Sequence, residues 1–119
     1  MNWIHESINK SKNNRNHYKM HEIDIFIKDP LPDNIDPDLV FSTFKRIIPS
    51  HLLSGVDIIY VGQFDVFKEK EVNAVFQDGA IYITNEQSSN EDMIDDIIHE
   101  LADSVEEKFT EFIYDDNAL

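Results

Sequence analysis

The feature that most constrains this chain is a long amphipathic pattern near its C-terminal end. Apolar residues recur there at helical spacing over about twenty residues, at Ile94, Ile97, Ile98, Leu101, Val105, Phe109 and Phe112. A helix with one apolar stripe must pack against another layer, and the preceding sequence offers mainly short strand patterns. The chain is therefore predicted to be an α+β domain whose last element is a long helix packed on a sheet.

Strand and turn signals precede this helix. Residues 21–28 alternate isoleucine with Glu22, Asp24 and Phe26, which is the period of a strand. Residues 56–61 are typical of a buried strand, and residues 73–84 predict a β-hairpin that turns at Asp-Gly. The expected order is β-α-β-β-β on a mixed sheet, followed by the long helix.

Capping residues indicate where the two helices begin. Asp36 followed by Pro37 is a cap followed by a first-turn proline, and Pro49 ends that helix. For the long helix, Ser89 with Asp92 and Ser88 with Glu91 both have the spacing of a capping box. Both alternatives remain open at this point. Residues 63–70 between the strands predict a short helix or a turn, with Phe64 and Phe67 directed into the core.

Length and composition predict one domain with a basic leader. The chain has 119 residues, no cysteine and 41% hydrophobic residues, which is enough for one core and excludes disulfides and thiolate metal sites. We expect residues 1–20 to be a flexible basic leader and residues 21–119 to form the domain. Because we identify neither a secretory signal nor an apolar run that could cross a bilayer, we expect a protein of the host cytoplasm or of a virion.

The charge distribution limits the partners. The net charge is −14, although Lys10, Lys12, Arg15 and Lys19 make the leader basic. Such an acidic body repels phosphate backbones, so we expect no direct nucleic-acid binding and no membrane binding. A protein or peptide is the expected partner. The leader either contacts an acidic partner or is a solvated tail.

The long helix carries the candidate for chemistry. His99 and Asp103 are four residues apart, so their side chains lie one above the other on adjacent turns and can bind one metal ion. Glu100, the next residue, is placed to polarise a metal-bound water. The alternative is that these residues belong to a solvated acidic helix face, which is the common reading of such a charge run.

Residues 73–112 resemble the short zincin-like HExxH metallopeptidases found among tailed-bacteriophage proteins. The matching positions are His99, Glu100, Leu101, Ala102, Ser104, Glu106 and Glu107. The resemblance implies a zincin-like α+β fold, zinc as cofactor, His99 as the first zinc ligand and Glu100 as the general base and acid. It also implies that residues 79–85 form the edge strand beside a substrate cleft.

Two departures from the family pattern lower the expected activity. Asp103 occupies the position of the second histidine, and the family's third ligand, which lies downstream of the helix, has no counterpart that we can identify. The remaining acidic candidates for a third ligand are Glu106, Glu107, Asp115 and Asp116. We therefore expect peptide hydrolysis with His99 and Asp103 as zinc ligands to be weak or absent, and whether the chain is an enzyme stays open.

Two other classes of function compete with hydrolysis. A non-catalytic structural or adaptor protein could keep the zincin fold and dock on a virion or host protein through the acidic helix face or the hairpin edge strand. An acidic decoy that imitates nucleic acid also suits the net charge of −14. The three hypotheses differ in their dependence on metal, on a protein partner and on a DNA-binding target.

Overall fold

The computed structural model describes the backbone of residues 16–116 and the side chains of residues 16–108. The elements in chain order are β1 (His17–Met20), β2 (Ile23–Ile27), α1 (Pro37–Ile47), a 3-10 turn (Ser50–Leu53), β3 (Ile58–Val61), α2 (Asp65–Lys70), β4 (Ala74–Gln77), β5 (Ala80–Ile83) and α3 (Asn90–Asp116). The predicted α+β class with a mixed sheet and a long C-terminal helix is confirmed.

The five strands form one sheet in the order β1-β2-β3-β5-β4. β2, β3 and β5 are parallel neighbours, whereas β1 and β4 pair antiparallel at the two edges. Parallel neighbours need crossover connections, and α1 supplies the one between β2 and β3. The carboxyl ends of the three parallel strands therefore lie together at one end of the sheet.

Both long helices begin at side-chain caps. The Asp36 carboxylate accepts a hydrogen bond from the Leu39 N–H at 3.2 Å, and Pro37 occupies the first turn of α1. In α3 the Asp92 N–H donates to the Ser89 hydroxyl at 3.1 Å. Ser89, rather than Ser88, is therefore the cap of the long helix.

The helices α1 and α3 cover one face of the sheet. Isoleucines of three strands meet there in one cross-strand row, because Ile25 pairs with Ile59 and Ile59 with Ile81. The helices bury their apolar stripes on this row through Val40, Phe41, Phe44, Met93, Ile97 and Leu101. Among the helices of the described part of the chain, none is long and apolar enough to cross a membrane.

The predicted hairpin turn is confirmed at Asp78 and Gly79. Both residues have positive φ, +53° and +80°, as the favoured two-residue turn requires. A Cβ on Gly79 would lie 2.8 Å from Oδ2 of Asp57, so glycine is needed for space as well as for backbone conformation.

Two predictions about strands need correction. Residues 17–20, assigned to the flexible leader, form β1, and Tyr18 and Met20 are buried in the core. The boundary at residue 20 is therefore too late, while residues 1–15 lie outside the described part of the chain. The second correction concerns residues 80–83, which form β5 between β3 and β4 rather than an edge strand. The edge beside α3 is β4.

Candidate functional site

Helix α3 presents the predicted metal ligands to solvent. Its buried positions are Met93, Ile97, Leu101 and Ser104, so the side chains of His99 and Asp103 are turned away from the sheet and are exposed. Their four-residue spacing on one helix keeps them neighbours, as the sequence predicts. The Ser104 hydroxyl donates to the Leu101 carbonyl at 2.6 Å and belongs to the packed side of the helix.

Glu100 lies between the exposed and buried sides of α3 and points to the sheet edge at β4. The Phe76 backbone N–H lies close enough to its carboxylate to act on the pKa of that group. Burial is the largest cause that raises the pKa of Glu100 above its ordinary value, and Asp103 and Asp96 raise it further. His99 and the Phe76 N–H pull the pKa down by less. Glu100 therefore lies against the outer edge of β4.

Asp96, one turn before Glu100, is tied to the loop that precedes the helix. The buried Gln87 side chain donates to Asp96 Oδ2 at 3.0 Å and to the Thr84 carbonyl at 2.9 Å. This contact fixes the entry of α3 against the carboxyl end of β5. Asp96 therefore has a structural role rather than a free ligand position.

The described side chains do not assemble a complete metal site. Within residues 16–108, no three His, Asp or Glu side chains come together in a group that could hold a metal ion. Glu106 and Glu107 are exposed farther along α3, and the side chains of Asp115 and Asp116 lie outside the described set. The zinc site at His99 and Asp103 stays a prediction, with two candidate ligands on one helix.

The second candidate is the sheet face opposite α1 and α3. One cross-strand row on this side consists of aromatic rings, because His17 pairs with Phe26, Phe26 with Tyr60, and Tyr60 with Tyr82. Successive ring centroids are 4.8, 6.2 and 5.2 Å apart, and all three pairs are stacked. We call this surface, together with Phe64, the aromatic face.

Phe64 joins the row from the loop after β3. Its ring meets Tyr82 edge-on at 5.2 Å and Tyr60 at 6.4 Å. Phe67 of α2, which is buried, packs edge-on against Phe64 at 5.5 Å. The helix α2 therefore covers the β4 end of this side and leaves the rings nearer β1 open, so that Phe26 is 40% exposed.

A groove of about 460 Å³ runs beside the row. It is lined by Ile58, Tyr60, Phe64, Val66, Gln77, Asp78, Ala80 and Tyr82. Among the described residues that line the groove, Asp78 is the one with a charged side chain. The groove is therefore apolar and aromatic, with one carboxylate at its hairpin end.

The opposite end of the groove is held by a charged loop contact. The Lys28 ammonium donates to the Gln63 carbonyl at 2.7 Å and pairs with Asp29 at 3.2 Å, and it lies 5.2 Å from the Phe64 ring centroid. The Gln63 N–H donates to Asp29 at 2.8 Å and, with Lys28, lowers the pKa of that carboxyl. These contacts hold Phe64 in place beside the row.

One residue of this surface differs from its predicted role. Phe64 is predicted to be core, but it is half-buried and belongs to the aromatic face. The alternation that predicts β2 already places Phe26 on the side opposite its isoleucines, and Tyr60 and Tyr82 alternate in the same way within their strands. Aromatic residues on the outward side of three strands are the signal that identifies this surface.

Comparison of the chain with models of protein families, with curated proteins and with solved structures finds no match.

Proposed function

We propose that this domain is a protein-binding module that docks a partner segment on its aromatic face. The observation that carries the proposal is the row of four stacked rings across four strands, which α1 and α3 leave uncovered. Contiguous exposed apolar surface is typical of interaction sites, and aromatic residues dominate the binding energy of protein interfaces. This is the adaptor hypothesis with a different docking surface.

The charge of the molecule supports a protein rather than a nucleic acid as partner. Aromatic platforms also stack nucleobases, but proteins that use them this way track the phosphate backbone with a positive groove. Here the net charge is −14, and the groove lining has Asp78 as its charged residue. Phosphate binding would therefore be opposed electrostatically.

The two surfaces first considered for an adaptor are less suited to docking. At the hairpin edge, the Glu100 side chain lies next to the Phe76 N–H, so part of β4 is shielded against strand addition. The exposed face of α3 is acidic and mostly solvated, and such faces contribute little binding energy by themselves. The aromatic face combines exposed rings with a groove, and it is the stronger candidate.

A peptide selection tests this proposal. A displayed library of random peptides is selected on the wild-type domain, and enriched peptides are measured against Phe26→Ala and Leu39→Ala. The two residues are similarly exposed, 40% and 49%, but Leu39 lies on α1, on the other side of the sheet. We expect Phe26→Ala to weaken binding about tenfold and Leu39→Ala to leave it unchanged.

Two outcomes of the selection, and one of a parallel titration with single-stranded oligonucleotides, would contradict the proposal. Equal affinities for Phe26→Ala and wild type would remove the aromatic face from the interaction. Failure to enrich any peptide would contradict the proposal that the domain is a protein-binding module. Tight binding of single-stranded oligonucleotides that depends on Phe26 would reassign the face to nucleic acid.

Zinc-dependent peptide hydrolysis is the second candidate function. The favouring observation is that Glu100 is half-buried next to His99 with a raised pKa, as a carboxyl that moves a proton requires. In this proposal His99 and Asp103 would hold zinc. Near-stoichiometric zinc in protein purified without chelators, lost in His99→Ala, would support it. Metal-free folded protein, or proteolysis unchanged by Glu100→Gln, would overturn it.

A further inference from the structure

We infer that the groove beside Tyr60 and Tyr82 receives an arginine side chain of the docked segment, with the guanidinium packed against the aromatic cluster and paired with Asp78. This inference rests on the proposed function and names the chemistry of the partner. Tyr60, Tyr82 and Asp78 line one groove of about 460 Å³. That volume accommodates a long side chain with part of its backbone.

The aromatic residues that line the groove attract cations. Tyrosine and phenylalanine carry negative potential on their faces, and a cation within about 6 Å of the ring centroid is stabilised. The surface already shows this contact once, where the Lys28 ammonium lies 5.2 Å from the Phe64 centroid. Tyr60 and Tyr82 are partly exposed in the same cluster.

The groove is negatively charged at its hairpin end. Lys28 is paired with Asp29 at 3.2 Å, so its charge is largely compensated. Asp78 takes part in neither ion pair found in the described part of the chain, and Asp57 lies beside the same turn, close to Gly79. A cationic group that enters from solvent thus meets rings first and a free carboxylate at the hairpin end.

Arginine fits this combination better than lysine. Its planar guanidinium stacks on a ring and still presents a fork of N–H donors to a carboxylate. A lysine ammonium is a compact, strongly hydrated charge that cannot lie flat on a ring. The net charge of −14 further raises the local concentration of cationic segments.

The test uses four synthetic octapeptides, titrated against the whole chain by fluorescence anisotropy. The first alternates arginine with leucine, and the others replace arginine by lysine, by citrulline or by glutamate. Citrulline keeps the planar shape of arginine and removes its charge. We expect the arginine peptide to bind about fivefold more tightly than the lysine peptide, with the citrulline peptide weaker and the glutamate peptide weakest.

The matched variants are Asp78→Asn and Asp95→Asn, which change the net charge equally. Asparagine tolerates the left-handed turn position of Asp78, where φ is +53°, so this variant keeps the hairpin. Asp95 is exposed on α3, on the other side of the sheet. We expect Asp78→Asn to weaken the arginine peptide about fivefold and Asp95→Asn to change its affinity by less than about twofold.

The outcomes separate this inference from the proposed function. Equal affinities of the arginine and citrulline peptides, equal effects of Asp78→Asn and Asp95→Asn, or no binding of the arginine peptide at millimolar concentration would overturn the inference. If library-selected peptides without arginine bind in a way that requires Phe26, the proposed function stands and the inference fails. If Phe26→Ala is without effect on selected peptides, the proposed function fails.

Discussion

The two faces of the sheet are built from the same strands and carry different kinds of apolar residue. On the covered face, Ile25, Ile59 and Ile81 form a row with relative exposures of 0–1% under α1 and α3. On the aromatic face the next row in register holds Phe26, Tyr60 and Tyr82, and none of these is buried. Aliphatic residues fill a core closely, whereas aromatic rings offer a large contact area, and the two tyrosines add a hydroxyl that water can hydrogen-bond. The comparison indicates that the covered face stabilises the fold, while in the described part of the chain the aromatic face is left partly exposed, as the proposed docking requires.

The largest expected effect on stability is that of Ile59→Ala in the covered row, which is compared with Phe26→Ala in the aromatic row. Ile59→Ala leaves a cavity under both helices and should lower the free energy of unfolding by about 3 kcal/mol. Phe26→Ala removes a ring that is 40% exposed and should cost below about 1 kcal/mol. Urea denaturation followed by circular dichroism measures both. Comparable losses would mean that the two faces do not differ in their contribution to stability.

A second prediction concerns the hairpin between β4 and β5, whose strands contribute residues to both faces of the sheet. Gly79→Ala forces a Cβ to within 2.8 Å of Asp57 Oδ2 at a residue with φ +80°, and it should destabilise the domain by about 1–2 kcal/mol. Gly55→Ala is the control, since its nearest contact would be an ordinary 3.4 Å to Lys108 Cγ. Thermal unfolding should separate the two variants, and equal melting temperatures would show that the turn is not constrained as described.

A third prediction concerns the N-terminal cap of α3, the helix that covers one face of the sheet together with α1. Ser89→Ala removes the acceptor for the Asp92 N–H and should cost about 1 kcal/mol. Ser88→Ala is the matched control, because the Ser88 carbonyl accepts from Asn34 and its side chain is dispensable for that bond. Loss of stability in Ser88→Ala alone would place the cap one residue earlier.

The smallest effect on stability is expected at Glu100, at the β4 edge between the two faces of the sheet. Because its folded pKa is raised, the folded state binds the proton more tightly, and stability falls as pH rises from the unfolded pKa through the folded pKa. Glu100→Gln keeps an acceptor for the Phe76 N–H and should stabilise the domain at neutral pH by about 0.5 kcal/mol, after allowance for solvent screening.

The pH dependence provides the control for the Glu100 prediction. The stability difference between Glu100→Gln and wild type should be absent in acid, below the unfolded pKa, and should reach its full size above the raised folded pKa. Urea titrations at a series of pH values measure it. A difference that is independent of pH would contradict the assigned cause.

Local signals predicted those parts of the fold that depend on short-range chemistry. Asp78 with Gly79, Asp36 with Pro37, and the isoleucine alternation of β2 each act within a few residues, and all are confirmed. β1 was missed because its four residues follow a polar, basic stretch, and its strand is stabilised by pairing with β2. The interior position of β5 depends on which strands become its neighbours, and its own residues do not specify that.

The same limit applies to the candidate sites. The spacing of His99 and Asp103 on a helix was predictable, because it depends on helical geometry alone. The contact of Glu100 with Phe76 depends on how α3 lies against β4, which no local pattern encodes. Similarly, Phe26, Tyr60 and Tyr82 could be placed on the outward side of their strands, but the sequence does not say that α1 and α3 both choose the other side.

The most direct test of the proposed docking is to measure which face of the sheet a bound peptide contacts. The backbone amide signals of the isotope-labelled chain are followed by NMR while a library-selected peptide is added. We expect the largest shifts at Phe26, Tyr60, Tyr82 and Phe64 and no shifts on the exposed face of α3. Shifts centred on His99 and Asp103, with the aromatic face unchanged, would contradict the proposed docking and would place the binding site on the acidic face of α3.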